Sequence, residues 1–448
     1  MMMTWNRMNP LAIGLSAFLA LGLTACGGSS TNIVEREPVE DPGHDHSHGE
    51  VPETKGRLVV NAFGEGELVV YSLDDGEELN HFELAAPASA LYPSPGDRFA
   101  VAIQRNEDQV NAVDAGLIRE SHGDHWDYST TSPAFMDFTA PGSRPTHYTL
   151  GDGRAVIFYD GNSGSGELAR VGVFTEADLA DNGAGRWLDL DSQHHGAAQH
   201  FDGSLFVTRK TDDSASLPDQ VAQYHWHESV YEEEVVFDTL CPSLHGSAQW
   251  DEGVAFGCAD GVLLIHAHGD HFHELKLDNP AGINGRIGSL YAHEASEQMV
   301  GVASGELYLV DAHEETITAL NWQGDATRSA IAYAFDGEGE HFLILDDDGG
   351  LTRLEVADGW APLERVSVVT SDLVGLDEGL NLAMAVSKAG PLVYVTDPVA
   401  NTVMEVNLES GEVSEALALD VTPAGIVWAG FEDALVDHDH DEEHDHAH

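Results

Sequence analysis

Histidine is the residue type here whose number and spacing could do chemistry: the chain has 25 of them in 448 residues. Three groups recur in the same local setting. His147 ends Arg144-Pro145-Thr146-His147, His194 and His195 precede Gly196, and His245 precedes Gly246. A fourth group, His122-Gly123-Asp124-His125-Trp126-Asp127, lies in a long insertion from Ala115 to Pro145. Neutral imidazole nitrogens joined by a carboxylate suit a borderline divalent cation such as Zn²⁺, for which four ligands suffice. The reading is that His122, His125, His147 and His195 are ligands, with Asp124 and His245 as further ligands or as groups that orient them. Imidazole donors suit zinc and copper alike. A second pattern, His266-Ala267-His268-Gly269-Asp270-His271-Phe272-His273, reads as a hairpin. Period-2 alternation puts His266 with His268, and His271 with His273, on one face. That is a small surface metal site or simply a solvated rim. Tyr224-His225-Trp226-His227 has the same ambiguity.

Other chemistries lack their signatures. His-Glu-x-x-His, Gly-x-Ser-x-Gly and a phosphate-binding glycine loop are absent, and Asp346-Asp347-Asp348-Gly349-Gly350 lacks the spacing of an EF-hand loop. No enzyme activity is expected. With 19 Lys and Arg against 78 Asp and Glu, the net charge is −59, so a nucleic-acid backbone would be repelled.

The elements that must position the histidines are strands. From Leu58 onward, short apolar or alternating segments are split by Gly, Asp and Asn turns, among them Arg98–Gln104, Arg154–Tyr159, Ser204–Thr208, Gly253–Gly257, His341–Leu345 and Pro391–Thr396. Glu176–Ala180 and Glu228–Glu234 read as short helical turns. Strand groups begin near Ala90, His147, His195, Gly246, Ile287, Ala330, Leu382 and Ala424, at intervals of 41 to 57 residues, about the length of a four-stranded propeller blade. The expected fold is all-β: a single closed β-propeller over residues 55–431, with eight blades, or seven if insertions inflate the count. Long loops would cover one channel mouth. Strands near Leu58 and a lone strand near Ala424 would complete one blade between them. The histidines preceding inner strands would then meet at the channel, and the Ala115–Pro145 insertion would fold over them.

The chain has three cysteines. Cys241 and Cys258 flank two strands joined by the turn at Asp251–Gly253, so a structural disulfide is expected, the alternatives being buried thiols or thiolate ligands. Cys26 belongs to another pattern. Arg7, the apolar run Leu11–Leu23 and then Leu23-Thr24-Ala25-Cys26 resemble a bacterial lipoprotein signal peptide over residues 1–25, with lipid carried on Cys26. Gly27 rather than Asp after it directs the expectation to the outer membrane, facing the periplasm. Residues 26–54 read as a flexible tether containing His44, His46 and His48. Residues 432–448 read as an acidic tail rich in histidine. Such a chain is expected to be a monomer held to a membrane through its lipid.

Taken together, His122–His125, Arg144–His147, Gly153–Gly161, His194–Gly196, Cys241–Gly246, Phe256–Leu263 and Gly269–Phe272 resemble the AztD family over roughly residues 55 to 430, and the His44–His48 cluster fits as well. The resemblance implies a secreted β-propeller that stores periplasmic zinc and passes it directly to the solute-binding protein of a zinc ABC importer. The lipoprotein signal and the added acidic tail depart from that pattern. The classes weighed against it are a metal-dependent propeller hydrolase and a lipoprotein scaffold for envelope proteins.

Overall fold

The computed structural model describes residues 51–436, positions 124, 270, 284 and 325 excepted. The tether's cluster His44–His48, Cys26, the signal segment and all but the first residues of the tail lie outside it. Among the described residues there are eight antiparallel sheets, seven of four strands and one of five, plus a separate two-stranded hairpin. The sheets are the blades of an eight-bladed propeller. We number them from the first complete one, so that the inner strands of blades 1 to 8 are Ala90–Pro93, Pro145–Gly151, Ala198–Phe201, Ser247–Trp250, Ser289–Tyr291, Ala330–Phe335, Met384–Val386 and Pro423–Ala429. Each begins within three residues of a unit start read from the sequence.

The second strand of each blade reads as an unbroken apolar run, Phe99–Gln104 and Arg154–Tyr159 for example, and both are buried almost throughout. Neighbouring blades cover both faces of such a strand, so no polar face is left to alternate. Between blades 3 and 4 the layer holds Phe206, Val221, Phe237, Leu244, Val254, Phe256, Leu263 and Ile265. The expected disulfide sits in it: Cys241 and Cys258 are bonded, with Cα atoms 4.9 Å apart and both residues fully buried. Blade 8 closes the ring as expected. Its inner strand Pro423–Ala429 pairs with the N-terminal strand Arg57–Ala62, Leu58 opposite Trp428 and Val60 opposite Ile426. The first and last of the described strands therefore seal each other, and the ring keeps no open seam among the described residues.

Of the two short helical turns expected, one is present: Glu176–Asp181 is helical, capped by Thr175 and Asp178 in a reciprocal box. The Glu228–Glu234 segment is not: Val230–Val236 is the outer strand of blade 3, because its neighbour Gln220–His227 offers a full set of cross-strand partners. The Ala115–Pro145 insertion also departs from expectation. It forms the hairpin Leu117–Ser121/Trp126–Thr130 and then supplies the short outer strand of blade 1, Ala134–Phe135. The hairpin leaves blade 1 after Asp114. In that blade Ala90 pairs with Ile103 and Gln104 with Gln109 at one end, whereas Pro93 and Asp114 lie at the other. No helix among the described residues is long and apolar enough to cross a membrane.

Candidate metal centre

His147 sits near the start of the inner strand of blade 2. His195 and His245 lie just before the inner strands of blades 3 and 4. Three adjacent blades thus deliver one imidazole each to the same end of the ring. Glycine makes room for the backbone there: a Cβ on Gly196 would stand 2.4 Å from Thr208 Oγ1, and one on Gly246 would stand 2.8 Å from Ser289 Cα.

The three half-buried rings converge through Nε2. His147 Nε2 is 3.0 Å from His195 Nε2, which is 3.1 Å from His245 Nε2. Zinc bound tetrahedrally by imidazoles at about 2.0–2.1 Å would hold those nitrogens roughly 3.3 Å apart. The other ring nitrogens set the protonation. His195 Nδ1–H donates to Asp160 Oδ2 at 3.0 Å, and His245 Nδ1–H donates to the Gly288 carbonyl at 2.9 Å. Both acceptors take only a proton-bearing Nδ1, so in the neutral rings both Nε2 atoms carry lone pairs aimed at each other. One hydrogen from His147 can relieve one such contact, not two. A cation at the common focus relieves all of them, and the donor set fits a borderline divalent metal.

Asp160 is anchored behind this set. Its Oδ2 also accepts from the Arg105 guanidinium at 2.7 Å, and Arg105 Nε donates to Thr146 Oγ1 at 2.9 Å. Burial alone would raise the Asp160 carboxyl. The hydrogen bond and charge of His195, then Arg105 and Thr146, more than offset this and hold it below the ordinary value. Burial pushes the His147 imidazole down to about 4, with His195 and His245 adding to the effect. Burial likewise lowers His245, against the opposing bond to Gly288. Neutral imidazoles, ready to donate lone pairs, are what a metal requires.

Of the six residues expected to bind metal, the structure brings together His147, His195 and His245. His122 and His125 do not join them. They lie at the tip of the Leu117–Thr130 hairpin, 3.4 and 3.6 Å from the Asp127 carboxylate. The triad shares the end of blade 1 from which Arg105 reaches Asp160, and the hairpin departs from the opposite end. The expectation that this insertion covers the histidine mouth is therefore corrected. A third strand runs in the same sense as the first, so its exit lies away from where inner strands begin. Asp124 lies outside the described residues. His194, beside His195 in sequence, turns the other way: it is buried, with Nε2 3.0 Å from the Thr208 carbonyl oxygen. Sequence reasoning missed Asp160, Arg105 and the Gly288 carbonyl. The one available signal was the acid that directly follows the apolar strand Arg154–Tyr159.

No family model matches the chain. It is 25% identical over 414 residues to the zinc chaperone AztD of Citrobacter koseri, spanning 88% of this chain and 92% of that protein. Two solved structures of Citrobacter koseri AztD, one of them apo, share its fold with TM-scores of 0.70 and 0.69 at 22% and 21% identity, covering 84% of this chain and 97% of theirs. The dihydro-heme d1 dehydrogenase NirN shares the fold more distantly, with a TM-score of 0.55 at 10% identity, over 86% of this chain and 76% of that one.

Proposed function

We propose that this chain, which is similar in sequence to the zinc chaperone AztD and shares its fold, is a periplasmic zinc-binding metallochaperone, not an enzyme. It stores Zn²⁺ on His147, His195 and His245 and hands it to the solute-binding protein of a zinc ABC importer. The observation that carries the reading is the convergence of three Nε2 atoms, two of them left with lone pairs by the Asp160 and Gly288 locks. Cys241 and Cys258 have no part in it as thiolate ligands, because they are bonded to each other.

Three imidazoles leave one position of a tetrahedron to another ligand. A histidine or carboxylate of the receiving protein can enter there before the propeller's own imidazoles let go, so the metal passes without becoming a free aquo ion. Three neutral nitrogens leave the bound ion its full charge, whereas an acceptor that adds a carboxylate neutralises part of it. An acceptor of that kind would draw the metal toward itself. The lipid on Cys26 would hold the chain to a membrane, the outer one by the residue that follows, with the 26–54 tether setting its reach.

Zinc titration of the full chain against a competing chelator tests the reading. We expect one zinc held tightly in the native chain and lost in His147→Ala plus His195→Ala. The metal should then pass to the purified binding protein in the presence of excess chelator. Tight binding retained by the double variant would refute the site. A native chain with no tight zinc, or one whose zinc goes to chelator before partner, would refute the function.

A further inference from the structure

The outer hairpin of blade 4 presents a second set of imidazoles. Strands Gly261–His268 and His271–Asp278 pair so that His268 faces His271, Ala267 faces Phe272, and His266 faces His273. Alternation separates these pairs onto two faces. Phe272 turns toward blade 3, its ring 4.8 Å from Phe206 and 6.3 Å from Phe201. The four histidines share the other face. Ring centroids there are 4.7 Å apart for His271 and His273, 5.3 Å for His268 and His273, and 5.9 Å for His268 and His271. One ligand atom from each of His268, His271 and His273 falls within a 4.8 Å group, and all three residues are exposed.

We propose that this hairpin tip is a second metal site, separate from the axial triad, in which His268, His271 and His273 bind a borderline divalent cation such as Zn²⁺, with His266 beside them as a further donor. Packing does not explain the cluster, since the apolar work of the hairpin is done by the opposite face.

The local geometry has a counterpart in the same molecule. The tetrapeptide His-Gly-Asp-His occurs at both 122–125 and 268–271. In the first copy the His122 N–H donates to the His125 carbonyl at 2.9 Å, closing the turn, and the two rings lie 5.8 Å apart at 23°. The next residue on that face is Asp127, within 3.4 and 3.6 Å of the two Nε2 atoms. The equivalent position in blade 4 is His273. A tight turn thus brings two imidazoles side by side, and the residue two further on supplies the third donor. In the blade 4 copy all three donors are imidazole nitrogens, a set that suits a borderline divalent metal. His266 stands level with Gly253, next to Trp250 at the far end of the inner strand. The hairpin therefore lies at the end of the ring opposite the triad, and its exposure predicts weaker binding and faster exchange.

Histidine-resolved carbethoxylation, read by mass spectrometry on the full chain with and without added zinc, tests this. Zinc should lower labelling at His268, His271 and His273 several-fold, and equally so when His147→Ala plus His195→Ala removes the axial site. In His268→Asn plus His273→Asn, His271 should lose its protection while the axial histidines keep theirs. Three results would overturn the inference. One is hairpin labelling unaffected by zinc. Another is protection that vanishes with the axial site. The last is protection that appears only where scattered surface histidines such as His81 and His313 are protected too. Failure of the axial reading leaves each of these outcomes intact.

Discussion

Asp160 separates geometry from charge in the axial site. Its Oδ2 accepts from both His195 and Arg105, while its buried Oδ1 has no partner among the described residues. In Asp160→Asn the amide oxygen can take the place of Oδ2 and keep both hydrogen bonds. What is lost is the negative charge that makes His195 a stronger donor. In Asp160→Ala the acceptor goes as well, and His195 becomes free to place its proton on Nε2, where the metal should be. Groups that orient a metal-bound histidine typically contribute 10–100-fold in affinity, about 1.4–2.8 kcal/mol. We therefore expect Asp160→Asn to weaken zinc by about tenfold and Asp160→Ala by about a hundredfold. The assay is competition with a chelator strong enough to keep exposed histidines empty. Asp152→Asn is the control. It disturbs a similar carboxylate–histidine contact, Asp152 to His200 at 3.0 Å, that does not touch the triad. Wild-type affinity in Asp160→Ala would refute the tautomer lock. An equal loss in Asp152→Asn would show that the effect is one of fold and not of the site.

The pH dependence has a definite sign. His147 is held at about 4 against an ordinary 6.5, so between those values the unfolded chain binds the extra proton, and metal-free protein should lose stability as pH falls from about 6.5 toward 4. The His147 contribution approaches about 3 kcal/mol at the bottom of the window. Denaturant unfolding of stripped protein at pH 7 and pH 5 measures it, and a slope unchanged in His147→Gln would contradict it. Replacing Cys241 and Cys258 together by Ala releases a cross-link between positions 17 apart and should lower unfolding free energy by about 3 kcal/mol, read from the denaturant midpoint. Gly196→Ala would set a Cβ 2.4 Å from Thr208 Oγ1 and 2.5 Å from Phe158 Cζ, displacing the backbone beside His195. Zinc affinity should drop roughly tenfold with circular dichroism unchanged, and an unaltered affinity would show that the close approach is not needed.

Local information determined much of this protein. Apolar segments of five to seven residues recurring at blade length specify stacked sheets, because a strand covered on both faces has no reason to alternate. Partial strand sets at the two ends specify closure. Histidines placed just before inner strands specify which side chains approach the axis, since propeller geometry repeats with the chain. Tertiary structure alone decided the composition of the site. His245 joins it and His122 and His125 do not, because an insertion after a third strand leaves from the end of the ring opposite to where first strands begin. Strand direction could have shown this, yet composition and motif spacing carry no sense of direction. Asp160, Arg105 and Gly288 come from blades 2 and 1 and from the entry to blade 5. Each looks like an ordinary turn or strand-end residue in its own stretch of sequence. They become the groups that orient the imidazoles only because the closed ring fixes their distance and angle to residues some 35 to 55 positions away, and no local pattern encodes that distance.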